Sequence, residues 1–266
     1  MSAVTVDRSV KTVRAVVHEG RWGLTSVARG RGAFLVNVAA FRAMRLSRRF
    51  RRDVKQHMST TSGISFAYRR NRGDIQSIRE VLINGVYRLP DGVRPTSVVD
   101  LGANIGLTSL WFCANYPIEK LVAVEPLPAN AAMLRSNLAA NDLQFDVLEA
   151  AVGPASGEVT FATQDDSNAG FVGDGNLVVP MVSMDDVLER IGGHVDLLKM
   201  DIEGGEQALI AEGKVDWLDA IDVLIAELHP DVANVDRIVE VIVGKGFTYH
   251  AHGTLWPESM DIFVRN

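Results

Sequence analysis

One short segment, VVDLGANIG at residues 98–106, constrains the fold of this chain more than any other. The apolar run before Asp100 predicts a buried strand, the glycines predict a tight turn, and the apolar spacing from Leu107 to Cys113 predicts a helix. Such a strand–turn–helix places free backbone N–H groups and the positive end of a helix at one edge of a sheet. We therefore expect a nucleotide site at this edge.

The spacing of the glycines indicates which kind of nucleotide fits. A dinucleotide turn has the pattern G-x-G-x-x-G, but counting from Gly102 puts Asn104 and Leu107 at the second and third glycine positions. The pattern that remains, D-x-G-x-N-x-G, resembles motif one of the S-adenosylmethionine (SAM) methyltransferases. The Asp100 carboxylate suits a cofactor that carries an ammonium group and would repel a pyrophosphate. A nicotinamide oxidoreductase is therefore disfavoured.

A second acid follows the next predicted strand. Residues 121–124 are apolar and lead into Glu125 and Pro126, about twenty residues beyond the glycine turn, where an acid in such folds takes ribose hydroxyls. Two adjacent hydroxyls offer two donors and a carboxylate offers two acceptor oxygens. We expect Glu125 to bind a ribose, and residues 128–141 to form the following helix.

The rest of the chain continues this alternation of strands and helices. Further strands are predicted at residues 145–152, 195–200, 221–228, 247–250 and 260–265, a helix at 235–244, and an inserted hairpin pair at 157–163 and 177–182. Continuous apolar strands between helices are typical of a mostly parallel sheet covered on both faces. The short link between the last two strands predicts an antiparallel pair. We expect a Rossmann-like, seven-stranded α/β sheet with an antiparallel last strand.

Several segments together resemble a known family. They are RGDIQSIREVLINGVYRLP, VVDLGANIG, VAVEPLPANAAMLRSNL, VPMVSMDDVL, LLKMDIEGGE and AELHP, which lie chiefly within residues 73–230. Over this range the chain resembles the FkbM-type SAM-dependent methyltransferases. The resemblance implies an O-methyltransferase that uses SAM to methylate a hydroxyl of a small molecule, such as a secondary metabolite or a sugar moiety.

The expected cofactor site combines this resemblance with the motifs above. The predicted cofactor-binding residues are Asp100, Gly102, Ala103, Asn104 and Gly106 at the methionine end, Glu125 and Pro126 at the ribose, Ala150 and Ala151 at the adenine edge, and Asp201 nearest the reaction.

A hydroxyl is a poor nucleophile, so a base or a metal ion beside it would help the transfer. Asp201 and Glu203 follow the predicted strand at 195–200, and their alternative role is to cap the next helix. Glu227 and His229 leave the next strand on the same face, and His229 is a candidate base. The alternative is a magnesium site formed by Asp201, Glu227 and His229.

Charge divides the chain into two parts. Residues 1–72 contain 16 Lys and Arg but 3 Asp and Glu, whereas residues 73–266 contain 11 basic and 30 acidic residues. We expect residues 1–72 to form a basic, mainly helical extension and residues 73–266 to form the SAM-dependent domain. The basic side chains concentrate at Arg42, Arg45, Arg48, Arg49, Arg51, Arg52 and Lys55. A link from Asp74 to Tyr87 is expected to be helical, with Tyr87 on the wall of the pocket.

The extension suits several roles. It can complement the acidic domain or a second subunit in a homo-oligomer, or cover the acceptor as a lid. Few aromatic residues stand among its arginines, so nucleic acid is an unfavoured partner. The alternatives to O-methylation are N-methylation, RNA methylation through the basic extension, and a non-catalytic module that binds SAM or a partner protein.

Cysteine content and hydropathy point to the cytoplasm. Cys113 is the single cysteine of the 266 residues, so no disulfide can form within the chain. The N-terminal residues lack the pattern of a signal peptide, and the apolar stretch at 33–41 is too short to span a bilayer.

Overall fold

The computed structural model describes residues 3–44, 52–163, 170–172 and 177–266. Its first elements are α1 (Ala3–Ser26), β1 (Val27–Arg29), α2 (Arg31–Met44), β2 (Arg52–Thr60), β3 (Ser65–Arg70) and α3 (Arg72–Ser77), which continues as a π-helix over Ile78–Asn84. The two long helices agree with the predicted extension. The three antiparallel strands, β1 to β3, were not predicted.

The remaining elements follow in chain order. They are β4 (Ser97–Leu101), α4 (Leu107–Asn115), β5 (Lys120–Val124), α5 (Pro128–Ala139), β6 (Asp146–Leu148), β7 (Ala151–Val152), β8 (Gly157–Thr163), β9 (Gly170–Val172), β10 (Leu177–Val182), α6 (Met184–Ile191), β11 (Val195–Met200), β12 (Ile221–Ala226), α7 (Val235–Gly244), β13 (Phe247–His250) and β14 (Asp261–Arg265). Short helices at Gln207–Ala211 and Asp216–Ala220 lie between β11 and β12.

Seven of these strands form the central sheet, in the order β13-β14-β12-β11-β4-β5-β6. Neighbouring strands from β12 to β6 pair in parallel, whereas β14 pairs antiparallel with both β12 and β13. All five residues of β4 are buried, as expected for a strand covered on both faces. The predicted fold, including the antiparallel strand, is confirmed.

Two hydrophobic clusters cover the sheet. One contains apolar side chains of α4 and α5 together with Phe34, Met58 and Tyr68 from the basic extension. The other contains those of α6 and α7. The extension therefore shares a core with the sheet that it covers.

Two asparagine side chains, one in helix α5 and one just after it, form hydrogen bonds with the backbone of β3. Asn137 accepts a hydrogen bond from Ala67 N at 2.7 Å and donates to Ala67 O at 3.0 Å. Just beyond the helix, Asn141 bonds the N and O of Ser65 at 2.9 and 2.6 Å in the same way. These amides satisfy backbone groups of β3 much as another strand would.

Two corrections to the predictions concern strands. Within the expected mainly helical extension, the described part of α2 ends at Met44, and Arg52–Thr60 form the strand β2. Residues 45–51, which hold Leu46, Phe50 and four of the arginines, lie outside the described residues. In β2, Met58 and Thr60 are buried and Ser59 between them is half-buried, so the side chains follow the period of a strand.

The second correction concerns residues 145–152, predicted as one strand. The chain leaves the central sheet after Leu148, and Glu149 turns outward to pair with Arg135 at 2.9 Å. Ala151 and Val152 then join a smaller sheet of order β7-β10-β8-β9. The predicted hairpin partners β8 and β10 pair antiparallel in this smaller sheet.

In the described part of the chain, no helix is long and apolar enough to cross a membrane.

Close packing at Gly102 joins β4 to the turn after β11. Gly102 has φ of +73°, and a Cβ atom added there would lie 1.8 Å from the carbonyl oxygen of Asp201. Both the backbone conformation and the space therefore require glycine.

We predict that Gly102→Ala lowers the free energy of unfolding by about 2 kcal/mol or more, because the backbone must shift away from Asp201. Gly32→Ala, in an open position of α2, is the matched control and should be neutral or slightly stabilising. Urea unfolding of both variants checks this, and equal stabilities would contradict it.

Candidate functional site

A cavity of about 290 Å³ opens at the carboxyl ends of β4, β11 and β12. The glycine turn after β4 forms one side, and Lys199, Asp201 and Glu203 form the next. Glu227 and His229 follow β12 on the same wall. The structure thus brings all four predicted catalytic residues to one cavity, at the sheet edge where ligands of such folds bind.

The glycine turn presents an unusual backbone to this cavity. Asn104 has φ of +50°, and it lines the cavity with Gly102 and Ala103. Its Nδ2 donates to Ser77 Oγ at 3.2 Å, whereas its buried Oδ1 has no hydrogen-bond partner among the described residues. Gly106 lies off the cavity wall and allows the turn to pack against Leu134 of α5.

Asp100 lies behind the cavity wall. Its carboxylate is fully buried, accepts a hydrogen bond from Ser109 Oγ at 2.6 Å, and lies 3.2 Å from Lys199 Nζ. Lys199 Nζ also donates to the carbonyl oxygens of Leu101 and Gly102 at 3.1 and 2.8 Å. Burial alone would lower the pKa of Lys199, but the nearby Asp100 and Asp201 carboxylates raise it above the ordinary value. Lys199 is therefore a buried cation.

Glu125 is buried beside the turn. Its carboxylate accepts hydrogen bonds from the backbone N–H groups of Asn104 and Leu127 at 2.8 and 2.9 Å, and from Asn130 Nδ2 at 3.2 Å. Burial raises the pKa of Glu125 to about 7, against the effect of these donors. The carboxylate therefore holds the turn in place from outside the cavity wall. Pro126, Ala150 and Ala151 also lie off this wall.

His229 is the centre of a cluster of acids. Its Nε2 lies 3.9 Å from Asp201 Oδ1 and 3.7 Å from Glu203 Oε2. On the other side of the ring, Nδ1 lies 3.3 Å from Oε1 of the fully buried Glu206. Glu206 Oε1 also accepts the backbone N–H of Ile202 at 3.2 Å. Glu206 therefore fixes the orientation of the imidazole.

The cluster shifts the ionisation of its members. The hydrogen bond to Glu206 is the largest influence on His229 and raises its pKa to about 9, with further contributions from Asp201 and Glu203. Burial, followed by the charge of Asp201, raises the pKa of Glu203 to about 7 and that of Glu227 to about 8. In this state His229 is a cation at neutral pH, so it cannot accept a proton there.

Tyr87 and Glu80 close the cavity from the side of α3. Tyr87 is buried, and its hydroxyl donates a 3.5 Å hydrogen bond to Asp201 Oδ2. Lys199 Nζ lies 5.7 Å from the centre of the Tyr87 ring, within range of a cation–π contact. Burial raises the pKa of Tyr87 well above its usual value, so the phenol stays neutral. The prediction that Tyr87 lies on the pocket wall is confirmed.

Sequence reasoning missed the parts played by Glu206 and Glu80. Glu206 was given no role in the site, and its buried bond to His229 joins residues 23 positions apart. Glu80 lies within a segment that resembles the family but was also given no role, yet it lines the cavity one turn before the end of the π-helix. Helical periodicity could have predicted that Glu80 lies near Tyr87. It could not have predicted that Glu80 faces the residues after β11.

The fold and the cavity define a class. A mostly parallel seven-stranded sheet with an antiparallel β14, and an acidic cavity beside a glycine turn after β4, form a Rossmann-like methyltransferase core. The model of the family described as the methyltransferase FkbM domain matches residues 100–250. The chain belongs to this family and is a SAM-dependent methyltransferase.

The chain is also similar to individual proteins, of which three follow. The 31-O-demethyl-FK506 methyltransferase FkbM of Streptomyces tacrolimicus is 27% identical over 237 residues, covering 74% of this chain and 90% of its own. Methyltransferase 1 of Beauveria bassiana is 22% identical over 214 residues, covering 70% of this chain and 86% of its own. The crystal structure of methyltransferase FkbM from Methylobacillus flagellatus is 14% identical with a TM-score of 0.43, covering 96% of this chain and 60% of that one.

We predict that Lys199→Met costs about 3–5 kcal/mol of folding free energy, because it leaves the buried Asp100 charge without its partner. Adding Asp100→Asn should recover part of the loss, since the charge is removed as well. Lys245→Met, which breaks surface pairs with Asp216 and Asp219, should leave the free energy of unfolding nearly unchanged. Chemical denaturation measures all three, and a Lys199 variant as stable as the Lys245 variant would contradict the prediction.

A second prediction concerns pH. Because the pKa of Glu125 is about 7 in the folded protein and 4.5 in its ordinary state, the folded protein holds a proton that the unfolded chain releases first. Stability from this group is present below pH 4.5 and falls as pH rises toward 7, by up to about 3 kcal/mol. The stability of the wild type minus that of Glu125→Gln should therefore decrease from pH 4 to pH 8 in ligand-free protein. A difference that stays constant with pH would refute the buried-carboxyl assignment, and the exposed Glu119→Gln serves as control.

Proposed function

We propose that this protein transfers a methyl group from SAM to a hydroxyl oxygen of a small molecule. The observation that carries the proposal is that one cavity joins the glycine turn of the family motif to the carboxylates at the ends of β11 and β12. The turn provides a place for the donor and the carboxylates provide a place for a reacting hydroxyl.

The turn fits a cationic donor. The unpartnered Asn104 Oδ1 is an acceptor beside the cavity, and an ammonium group offers donors for it. Four carboxyl groups, those of Glu80, Asp201, Glu203 and Glu227, line the same cavity and favour positive charge there. We assign Gly102, Ala103 and Asn104 to direct contact with the methionine part of SAM. Asp100 and Gly106 support the turn from behind.

The remaining cofactor residues are proposed from their places around the turn. Glu125 lies next to Asn104 and is the acid proposed for the ribose hydroxyls. Pro126 follows it, and Ala150 and Ala151 are buried at the start of β7, where we propose the adenine edge. Binding at these residues requires the cavity to extend past Asn104 toward α5.

SAM supplies, when bound, a methyl group on a positively charged sulfur. The acceptor oxygen forms a bond to the methyl carbon while the carbon–sulfur bond breaks and its electron pair stays on sulfur. The hydroxyl proton must pass to a base. Correct placement of the reacting groups is worth as much as about 7–11 kcal/mol of the barrier.

Glu227 is the base that the geometry favours. It lines the cavity, and no hydrogen bond or ion pair joins its carboxylate to another residue in the part of the chain that the structure describes. Asp201, by contrast, lies near Lys199, Tyr87 and His229. We therefore propose that Glu227 takes the hydroxyl proton in its ionised form, which the positive charge of the bound donor would favour, while Asp201 and Tyr87 position the acceptor.

The acceptor class is proposed from the chemistry of the relative. The name of the Streptomyces tacrolimicus protein places its methyl group on an oxygen of FK506, a small molecule. Methylation of an oxygen atom suits this cavity as well, because its size fits a small molecule and its carboxylates can accept hydrogen bonds from hydroxyl groups.

Calorimetric titration with S-adenosylhomocysteine tests the donor site. Wild-type protein should bind, and Asn104→Ala should bind at least about 10-fold more weakly, because an acceptor facing the ligand is lost. Asn115→Ala, on the exposed end of α4, should bind like wild type. Folded wild-type protein that does not bind would overturn the proposed donor site.

Glu227→Gln tests the base. The rate constant kcat for a hydroxylated acceptor should fall by about 10²–10⁴-fold, the usual contribution of a general base. The Kd for S-adenosylhomocysteine should change little, and Glu119→Gln should leave both unchanged. NMR of the product identifies the methylated atom, and transfer to amines but not hydroxyls would contradict the proposal.

A further inference from the structure

We propose that Asp201, Glu203 and His229 form a binding site for one divalent cation. Their ligand atoms all lie within 4.8 Å of one another, with His229 Nε2 at 3.9 Å from Asp201 Oδ1 and 3.7 Å from Glu203 Oε2. Atoms that share one ion at about 2.1 Å can lie up to about 4.2 Å apart. The cluster therefore has room for an ion that takes the place of the proton on His229 Nε2, with small side-chain adjustments.

Glu206 holds the histidine of this cluster in the orientation needed to bind an ion. It is fully buried, and Oε1 holds Nδ1 of His229 at 3.3 Å so that Nε2 faces Asp201 and Glu203. A carboxylate on the far nitrogen is the usual support for a histidine that binds a metal. The other oxygen, Oε2, is buried without a hydrogen-bond partner among the described residues. A buried unpartnered carboxylate oxygen costs free energy unless positive charge lies near it.

The charges around the cavity also favour a bound cation. The carboxyl groups of Asp201, Glu203 and Glu227 line the cavity together with Lys199 and His229, and Glu206 lies behind His229. Lys199 is already bound to Asp100 and to two carbonyl oxygens. A divalent cation would balance the excess negative charge.

The ligands indicate the type of ion. Two carboxylates and one imidazole, with the cavity open to water on one side, suit Mg²⁺ or Mn²⁺. The sequence pattern favoured Asp201, Glu227 and His229, but the structure places Glu203 in the cluster instead of Glu227. With Glu203 rather than Glu227 in the cluster, Glu227 is available to act as a base.

The ion would also bind the acceptor. A cation at this place can hold a hydroxyl oxygen next to Glu227 and make its proton easier to remove. This role rests on the proposed transfer to a hydroxyl, whereas the ion site itself does not.

A second cluster offers a matched comparison. His194, Asp196 and Asp222 also lie within 4.8 Å of one another, at the opposite edge of the sheet. There Asp196 Oδ2 is occupied by the N–H groups of Thr96 and Ser97 and by the Thr96 hydroxyl. The His194 ring makes one contact, to Asp222 Oδ2 at 3.0 Å, and both side chains are about half exposed. A substitution here tests whether any His–Asp cluster of this chain binds ions.

Electron paramagnetic resonance with Mn²⁺ alone tests the site, without donor or acceptor. Wild-type protein should remove the signal of one equivalent of free Mn²⁺, and Mg²⁺ in excess should restore it. Glu203→Gln, whose side chain is 40% exposed, should fold normally and bind Mn²⁺ at least about 10-fold more weakly. Asp222→Asn should bind like wild type. His229→Gln is the second variant and should also lose binding.

The outcomes separate the ion site from the proposed function. No Mn²⁺ binding by wild type, or equal weakening by Glu203→Gln and Asp222→Asn, would overturn the site. Mn²⁺ binding with S-adenosylhomocysteine binding but methyl transfer that is insensitive to EDTA would keep the site and overturn its role with the acceptor. Mn²⁺ binding by a protein that does not bind S-adenosylhomocysteine would keep the site while the proposed function fails.

Discussion

The buried ammonium group of Lys199 holds the functional edge of the sheet together. It lies on β11 but donates to the carbonyl oxygens of Leu101, the last residue of β4, and of Gly102 in the turn, and its charge is balanced by Asp100 on β4. Two strands and the glycine turn are thus joined by one side chain that is almost completely buried. Because a buried charge without its partner costs several kcal/mol, the turn after β4 and the acids after β11 are held at a fixed separation. The cavity exists between them.

The acidic wall follows from this arrangement. Asp100 lies behind Lys199 and the other carboxyl groups lie in front of it. The pKa values of Asp201 and Glu203 are raised by burial and by neighbouring carboxyl groups, against the lowering effect of Lys199. Such a wall favours cations, both the sulfonium donor proposed here and a divalent ion. His229 relieves part of the repulsion, and the buried Glu206 is what keeps its ring facing the wall.

Local patterns in the sequence were sufficient for the central sheet and the location of the cavity, because apolar strands, the glycine turn and acids at strand ends are all local features. The strands at 195–200 and 247–250 and the helix at 235–244 have the predicted bounds. What could not be predicted depends on contacts between distant residues. Asp100 was assigned to the ligand, but its oxygens contact Ser109 and Lys199. The contacts of Asp100 depend on an ion pair between neighbouring strands, which the spacing of residues along one strand does not reveal.

The extension is attached to the elements that form one wall of the cavity. Hydrogen bonds with Asn137 and Asn141 hold β3 against α5, and Arg69 near the end of β3 pairs with the buried Asp74 at the start of α3. The π-helix that continues α3 then places Glu80 on the cavity wall, with Tyr87 just beyond it. A shift of β3 would therefore move Glu80 and Tyr87. It would also reach the glycine turn, because Asn104 Nδ2 donates to Ser77 Oγ at the end of α3. The attachment of the extension thus affects both sides of the cavity together.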